Sequence, residues 1–203
     1  MNKKIALGCG GLLIAALIIG ALWLSGSYNS LVRLDQAVQA QWAQVENVYQ
    51  RRADLIPNLV ETVKGAAAFE QGTLIAVTEA RAKIGQISAQ GLQNVINDPE
   101  QFKKFQEAQG ALSSALSRLL VVTEQYPELK ATQAFRDLQV QLEGAENRIT
   151  VERMRFNEVA QAYNTKRNSF PTILVAGLFG DKYREKPYFK AQEGADTVPK
   201  VKF

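Results

Sequence analysis

Two charged side chains interrupt apolar series whose spacing predicts helix packing, and they are the first candidates for chemistry. Arg52 stands where the seven-residue series Leu31, Val38, Val45 requires another apolar side chain. Glu152 interrupts a second series of the same period further along the chain. A buried cation and a buried carboxylate can compensate each other as a hydrogen-bonded pair.

We therefore predict a structural ion network in which Arg52 pairs with Glu146 or Glu152 and fixes the alignment of the helices. Removing one member of such a pair strands the other, at a cost of about 3–5 kcal/mol. The alternative is that these charges form a polar surface for a binding partner.

Metal binding is another interpretation of the acidic residues, because Glu143, Glu146 and Glu152 lie close together in the sequence. Di-metal sites in helical bundles use Glu-x-x-His pairs, and this chain contains no histidine. The absence of histidine also excludes Ser-His-Asp and Cys-His catalysis and removes the commonest general base near neutral pH. The sequence predicts no metal, no cofactor and no catalytic residue set.

Three further patterns offer no recognised chemistry. Cys9 is the single cysteine, so the chain beyond it has no disulfide and no zinc–thiolate site. The glycine-rich residues 8–11 lack a phosphate-loop lysine, and we interpret them as a helix-packing surface within a membrane. The basic pairs at residues 51–52 and 103–104 have no interleaved aromatic residues, so no nucleic-acid binding is predicted.

Residues 5–24 (IALGCGGLLIAALIIGALWL) are uncharged and predict one transmembrane helix. Such a helix is about 30 Å long, the thickness of a bilayer's hydrocarbon core. Trp23 and Tyr28 lie at its end, where amphipathic rings favour the headgroup level. Because residues 1–4 contain two lysines, we predict that they are cytoplasmic. The rest of the chain then lies in the periplasm or outside the cell, anchored in the cytoplasmic membrane.

Two alternatives to an uncleaved anchor remain open. A cleaved signal peptide has an apolar core of roughly 7–15 residues, shorter than this segment, and residues 24–26 form a poor cleavage site. A lipid-modified Cys9 requires an apolar core within residues 5–8, which is too short.

The rest of the chain predicts an all-α fold, with an elongated antiparallel helical bundle over residues 25–180. No strand-like alternation of any length occurs. The long seven-residue series beginning at Phe135 indicates supercoiled packing of coiled-coil type. Helical periodicity covers residues 28–52, 55–68, 70–88, 100–125 and 130–168.

Three interruptions of these helices are expected. Residues 25–27 (SGS) predict a hinge after the anchor. Residues 53–57 predict a kink or short break, where Asp54 caps a new helix and Pro57 occupies its first turn. Residues 88–99 predict a loop that ends in a helix entry signal.

Residues 172–180 (TILVAGLFG) form an apolar run too short to span a bilayer. One prediction is that the run folds back and covers the end of the bundle. The other is that it is a contact surface for the membrane or a partner, because large exposed apolar patches mark contacts. The side chains of that candidate surface are Ile173, Leu174, Leu178 and Phe179.

Residues 181–203 are polar and basic with two prolines, and they predict a mobile tail. The chain has a net charge of +4, and much of the excess lies in this tail. A basic tail beside a membrane can contact anionic lipid, while the alternative is a simply solvated segment.

Several motifs resemble the LemA family over about residues 25–180. They are YNSLV at 28–32, YQRRADLIPNLVETVKG at 49–65, YPELKA at 126–131, LEGAENRI at 142–149, and the pairs FN, YN and FP at 156–157, 163–164 and 170–171. The resemblance implies a bacterial or archaeal membrane protein with an antiparallel helical bundle. It implies no agreed activity and no known catalytic residues. Phe156 departs from the tyrosine that relatives often have, which puts in doubt only a role for a hydroxyl there.

The predicted function is a non-enzymatic, single-span scaffold or adaptor of the bacterial envelope, whose bundle binds itself or an unidentified membrane protein. The first alternative is an accessory subunit of a membrane enzyme such as a protease, acting through residues 172–180 or the tail. The second is a hydrolase that uses aspartate, glutamate or lysine without histidine.

Overall fold

The computed structural model describes residues 2–65, 70–89 and 92–190, and in these residues every regular element is helical, which confirms the predicted all-α fold class. Two 3₁₀-helices cover Leu92–Asn97 and Gly180–Tyr183. The α-helices of the described residues are α1 Asn2–Lys64, α2 Gln71–Ala89, α3 Pro99–Thr123, α4 Pro127–Ala131, α5 Gln133–Asn168 and α6 Thr172–Leu178.

Helix α1 has no hinge after the predicted anchor, so the prediction for residues 25–27 is wrong. The segment is helical, and the Ser25 hydroxyl donates to the carbonyl oxygen of Ala21 at 2.8 Å. A bond to the carbonyl of the preceding turn is one way in which a serine side chain is accommodated within a helix. The helix ends at Lys64, and its predicted end at Ala68 lies outside the described residues.

Of the kink or short break predicted at residues 53–57, the break is absent, since α1 is helical through Pro57. A neighbouring helix supplies a donor for the carbonyl oxygen that the proline leaves without a partner. Pro57 has no N–H, which leaves the carbonyl oxygen of Ala53 without its helical partner. The Nε of Arg81, on α2, donates to that oxygen at 3.1 Å. Asp54 caps no new helix, and accepts a hydrogen bond from Gln50 at 2.7 Å instead.

The chain divides into two compact units. The first unit comprises Met1–Ala40 and Val159–Lys186, and the second comprises Gln41–Glu158 and Pro187–Phe203. Because α1 and α5 are long, each contributes residues to both units.

In the second unit α1 and α5 are antiparallel, since Gln41 contacts Glu152 while Arg52 contacts Glu146. Apolar side chains of α1, α2, α3 and α5 form its core, as the heptad spacing predicts. Among them are Ile56, Leu59, Val63, Leu74, Val77, Leu112, Leu119, Phe135 and Leu142.

The predicted loop at residues 88–99 contains the first 3₁₀-helix, in which Val95 and Ile96 are buried. The helix entry signal is correct, because the Asp98 carboxylate accepts from the backbone N–H of Glu100 at 2.9 Å. Thr132 has an extended backbone, so the long helix α5 begins at Gln133, later than the predicted start at residue 130.

The prediction of a mobile tail is wrong for residues 181–190, since Tyr183, Lys186 and Phe189 are buried. These side chains recur every third residue, a period that neither a helical nor a strand pattern detects. The rest of the predicted tail, residues 191–203, lies outside the described residues.

Candidate functional site

Arg52 lies in the interior of the second unit, with 1% of its surface exposed. Its Nη1 donates to Glu146 Oε1 at 2.5 Å and to Ser113 Oγ at 2.8 Å. Its Nη2 donates to the side-chain oxygen of Gln109, and the guanidinium carbon lies 5.3 Å from the ring centroid of Tyr49. The buried cation is therefore compensated by one carboxylate, neutral oxygens and an aromatic ring.

The structure brings together only two of the three residues predicted to form the ion network. Arg52 pairs with Glu146, whereas Glu152 accepts a hydrogen bond from Gln41 at 2.6 Å and pairs with Arg155 at 2.9 Å. Glu152 therefore belongs to a separate, partly exposed pair and does not compensate Arg52.

A small cavity borders this network and is lined in part by Tyr49, Arg52, Gln109, Ser113 and Arg153. Its volume of about 40 Å³ gives room for a few water molecules. Small-molecule sites enclose roughly 300–1,000 Å³, so this cavity does not suit a substrate. Within the described part of the chain, no group of three or more acidic, histidine or cysteine side chains could hold a metal ion.

The first unit contains a second buried ion pair, which the sequence analysis missed. Lys186 Nζ lies 2.8 Å from Asp35 Oδ1 and 5.2 Å from the ring centroid of Tyr163. Burial, and then the nearby Asp35 carboxylate, raise the pKa of the Tyr163 phenol, which stays protonated. The Asn164 side chain binds both the N–H and the C=O of Lys186, each at 2.9 Å.

An analogous contact is present in the second unit. The Asn157 side chain accepts from the N–H of Phe189 at 2.8 Å and donates to its C=O at 2.9 Å. The Phe189 ring lies 4.8 Å from the Phe102 ring and 5.5 Å from the Phe156 ring, between centroids. In the sequence, the only sign of these contacts was the repeated pair of an aromatic residue and an asparagine, FN at 156–157 and YN at 163–164. The pair did not indicate that the asparagines bind the backbone of Phe189 and Lys186.

The candidate contact surface belongs to α6 and the residue after it. Val175 and Ala176 face inward and are buried, whereas Leu178 is 79% exposed. The segment thus buries one face and leaves the other face exposed. Of the predicted contact residues, Ile173, Leu174 and Leu178 lie on the exposed face. The Phe179 ring is partly exposed and packs against Tyr28 of α1.

The described residues include one helix, at the N-terminal end of the chain, that is long and apolar enough to cross a membrane. This finding rests on the length and composition of the helix.

Comparisons with known proteins identify relatives over most of the chain. The chain is 28% identical to magnetosome protein MamQ 2 of Paramagnetospirillum magneticum over 84% of this chain and 67% of that protein. It is 28% identical to magnetosome protein MamQ of Magnetospirillum gryphiswaldense over the same shares. It is 25% identical to protein LemA of Metamycoplasma hominis over 74% of this chain and 64% of that protein. The model of the LemA family matches residues 41–203, and the chain therefore belongs to the LemA family.

Proposed function

We propose that this protein is a membrane-anchored scaffold without catalytic activity, which holds copies of itself or other membrane proteins in place. The observation that carries the proposal is the continuity of α1. The apolar segment suited to a membrane continues to Lys64 as one helix, without the predicted hinge. A helical junction restricts the motion of the body more than a flexible linker does, and such restriction suits a scaffold.

The proposed location is the cytoplasmic membrane, with the N-terminus in the cytoplasm and the body in the periplasm or outside the cell. Lys3 and Lys4 precede the apolar segment, and the first basic residue after it is Arg33. Reporter proteins fused after Phe203 should be active only outside the cytoplasm. Activity of a cytoplasmic reporter would reverse the orientation and direct the search to cytosolic partners.

Three exposed apolar side chains on α5 favour a partner surface in the second unit. Val140, Val151 and Met154 are exposed and, at helical spacing, lie on one face of the helix, with the polar Asn147 between Val140 and Val151. Such a face suits packing against another helix. Two of the relatives are named magnetosome proteins. Such names fit a role for this chain as one component of a larger assembly.

A photo-crosslinking amino acid at position 154, introduced in living cells, tests the proposal. We expect crosslinks to the chain itself or to membrane proteins, identified by mass spectrometry. The matched control is position 107, where the Glu107 side chain is exposed on α3. Equal crosslinking at positions 154 and 107 would contradict the proposal of a scaffold. Capture of one membrane enzyme in constant ratio would instead support the alternative of an accessory subunit, which the exposed face of α6 also fits.

A further inference from the structure

An aromatic cluster in the first unit holds the C-terminal end of α6 against α1. The ring centroids of Phe179 and Tyr28 lie 5.3 Å apart. Tyr183 packs edge-on against both rings, at 6.1 Å from each. Lys182 Nζ donates to the Tyr28 hydroxyl at 3.3 Å. These contacts fix the position of α6 along α1.

That position is close to the end of the apolar segment. Tyr28 lies four residues beyond Leu24, which corresponds to a rise of about 6 Å along a helix. The headgroup layer extends roughly 5–8 Å beyond the hydrocarbon core on each side of a bilayer. When residues 5–24 span the bilayer, Tyr28 and the Phe179 ring therefore lie at headgroup depth.

The two faces of α6 differ in exposure, and the outward face is apolar. At 100° per residue, Ile173, Leu174 and Leu178 share the outward face, and all three are exposed. The inward face carries Val175 and Ala176, which are buried. An apolar outward face is unfavourable in water and favourable at a membrane surface.

We propose that α6 is a second membrane-binding element, whose outward apolar face lies in the boundary between headgroups and acyl chains beside the anchor. The ligand of this surface is the lipid bilayer. Lys182 Nζ, held at the Tyr28 hydroxyl, lies where a lysine ammonium can reach lipid phosphates. The inference rests on the proposed function, because it requires that residues 5–24 span the bilayer.

Spin labels on the full-length chain test this contact. Cys9→Ser removes the single native thiol, and Leu178→Cys, Leu17→Cys and Val121→Cys each supply one labelling site. All three positions are exposed in the described chain, so the fold should tolerate the label. The proteins are reconstituted into vesicles of phosphatidylethanolamine and phosphatidylglycerol. Collision rates with oxygen and with a water-soluble nickel chelate are then measured.

We expect the labels at positions 178 and 17 to collide preferentially with oxygen, and the label at position 121, on α3, to collide preferentially with nickel. A nickel preference at position 178 with an oxygen preference at position 17 overturns the inference and leaves the anchor intact. A nickel preference at both positions 178 and 17 overturns the anchor as well. Spin–spin broadening confined to position 178 identifies a second copy as the occupant and also overturns the inference.

Discussion

Arg81 on α2 donates a hydrogen bond from Nε to the carbonyl oxygen of Ala53, the acceptor that Pro57 leaves without a helical partner. Two residues far apart in the sequence thus maintain one turn of α1. The contact explains how the helix passes through a proline without the predicted break, and its energy can be isolated in a double-mutant cycle.

The first prediction concerns this cycle. Arg81→Met should lower the free energy of unfolding by about 0.5–1.5 kcal/mol, because the Ala53 carbonyl loses its donor. In a Pro57→Ala background the same change should cost clearly less, because the new amide N–H at position 57 supplies the helical bond. Denaturant unfolding of the full-length protein in detergent measures both costs. Equal costs in the two backgrounds would show that the contact does not compensate for the proline.

The second prediction is an asymmetry in the Arg52–Glu146 pair. The Glu146 side chain is 42% exposed, whereas that of Arg52 is 1% exposed. Glu146→Leu leaves a buried guanidinium and should cost about 3–5 kcal/mol in the free energy of unfolding. Arg52→Met leaves a carboxylate that water can reach and should cost less, about 1–3 kcal/mol.

The control for this asymmetry is the exposed pair of Lys64 and Glu61, whose nitrogen and oxygen lie 2.9 Å apart. Glu61→Leu should change the free energy of unfolding by less than about 1 kcal/mol. The asymmetry is refuted if Arg52→Met proves the more damaging of the two changes.

The third prediction is a pH dependence at Glu46. Burial raises the pKa of this carboxyl, and the nearby Trp42 indole N–H offsets only part of the rise. The protonated form is therefore favoured by the fold, and its stabilising contribution is lost as the pH rises through the folded-state pKa. Glu46→Gln, which imitates the protonated form, should raise the melting temperature at pH 7 but not at pH 3.

Glu107→Gln, at an exposed position, serves as the control for the Glu46 prediction. An equal shift at both pH values would argue against titration of Glu46 as the cause.

The fourth prediction concerns the segment that follows the second 3₁₀-helix. Phe189→Ala should cost about 3–5 kcal/mol in the free energy of unfolding, because the ring packs against Trp42, Phe102 and Phe156. Tyr188→Ala removes a ring that is partly exposed and should cost much less. Similar small effects of the two changes would mean that the segment is mobile in solution.

The sequence was sufficient to predict which faces of the long helices are buried. Leu31, Val38 and Val45 recur every seven residues on α1, as do Leu142 and Ile149 on α5, and all five are buried. Burial of an apolar face is a local property of the sequence, because the period of the helix alone groups these side chains.

The sequence alone did not predict which side chains pair with each other. Arg52 stands on an apolar series, but its pairing with Glu146 rather than Glu152 depends on how far α5 is shifted along α1. The donor that completes α1 at Pro57 likewise comes from another helix. Such choices depend on packing between residues distant in the sequence, and no local pattern encodes them.

The uninterrupted passage of α1 out of the apolar segment has a mechanical consequence. A transmembrane helix adapts to a thinner or thicker bilayer by changing its tilt. A flexible linker would absorb that change, but the helix that continues past Ser25 and Tyr28 transmits it to the residues beyond. Bilayer thickness should therefore set the angle at which α1 leaves the membrane. Spin-label measurements of helix tilt in lipids of different chain length can detect this dependence.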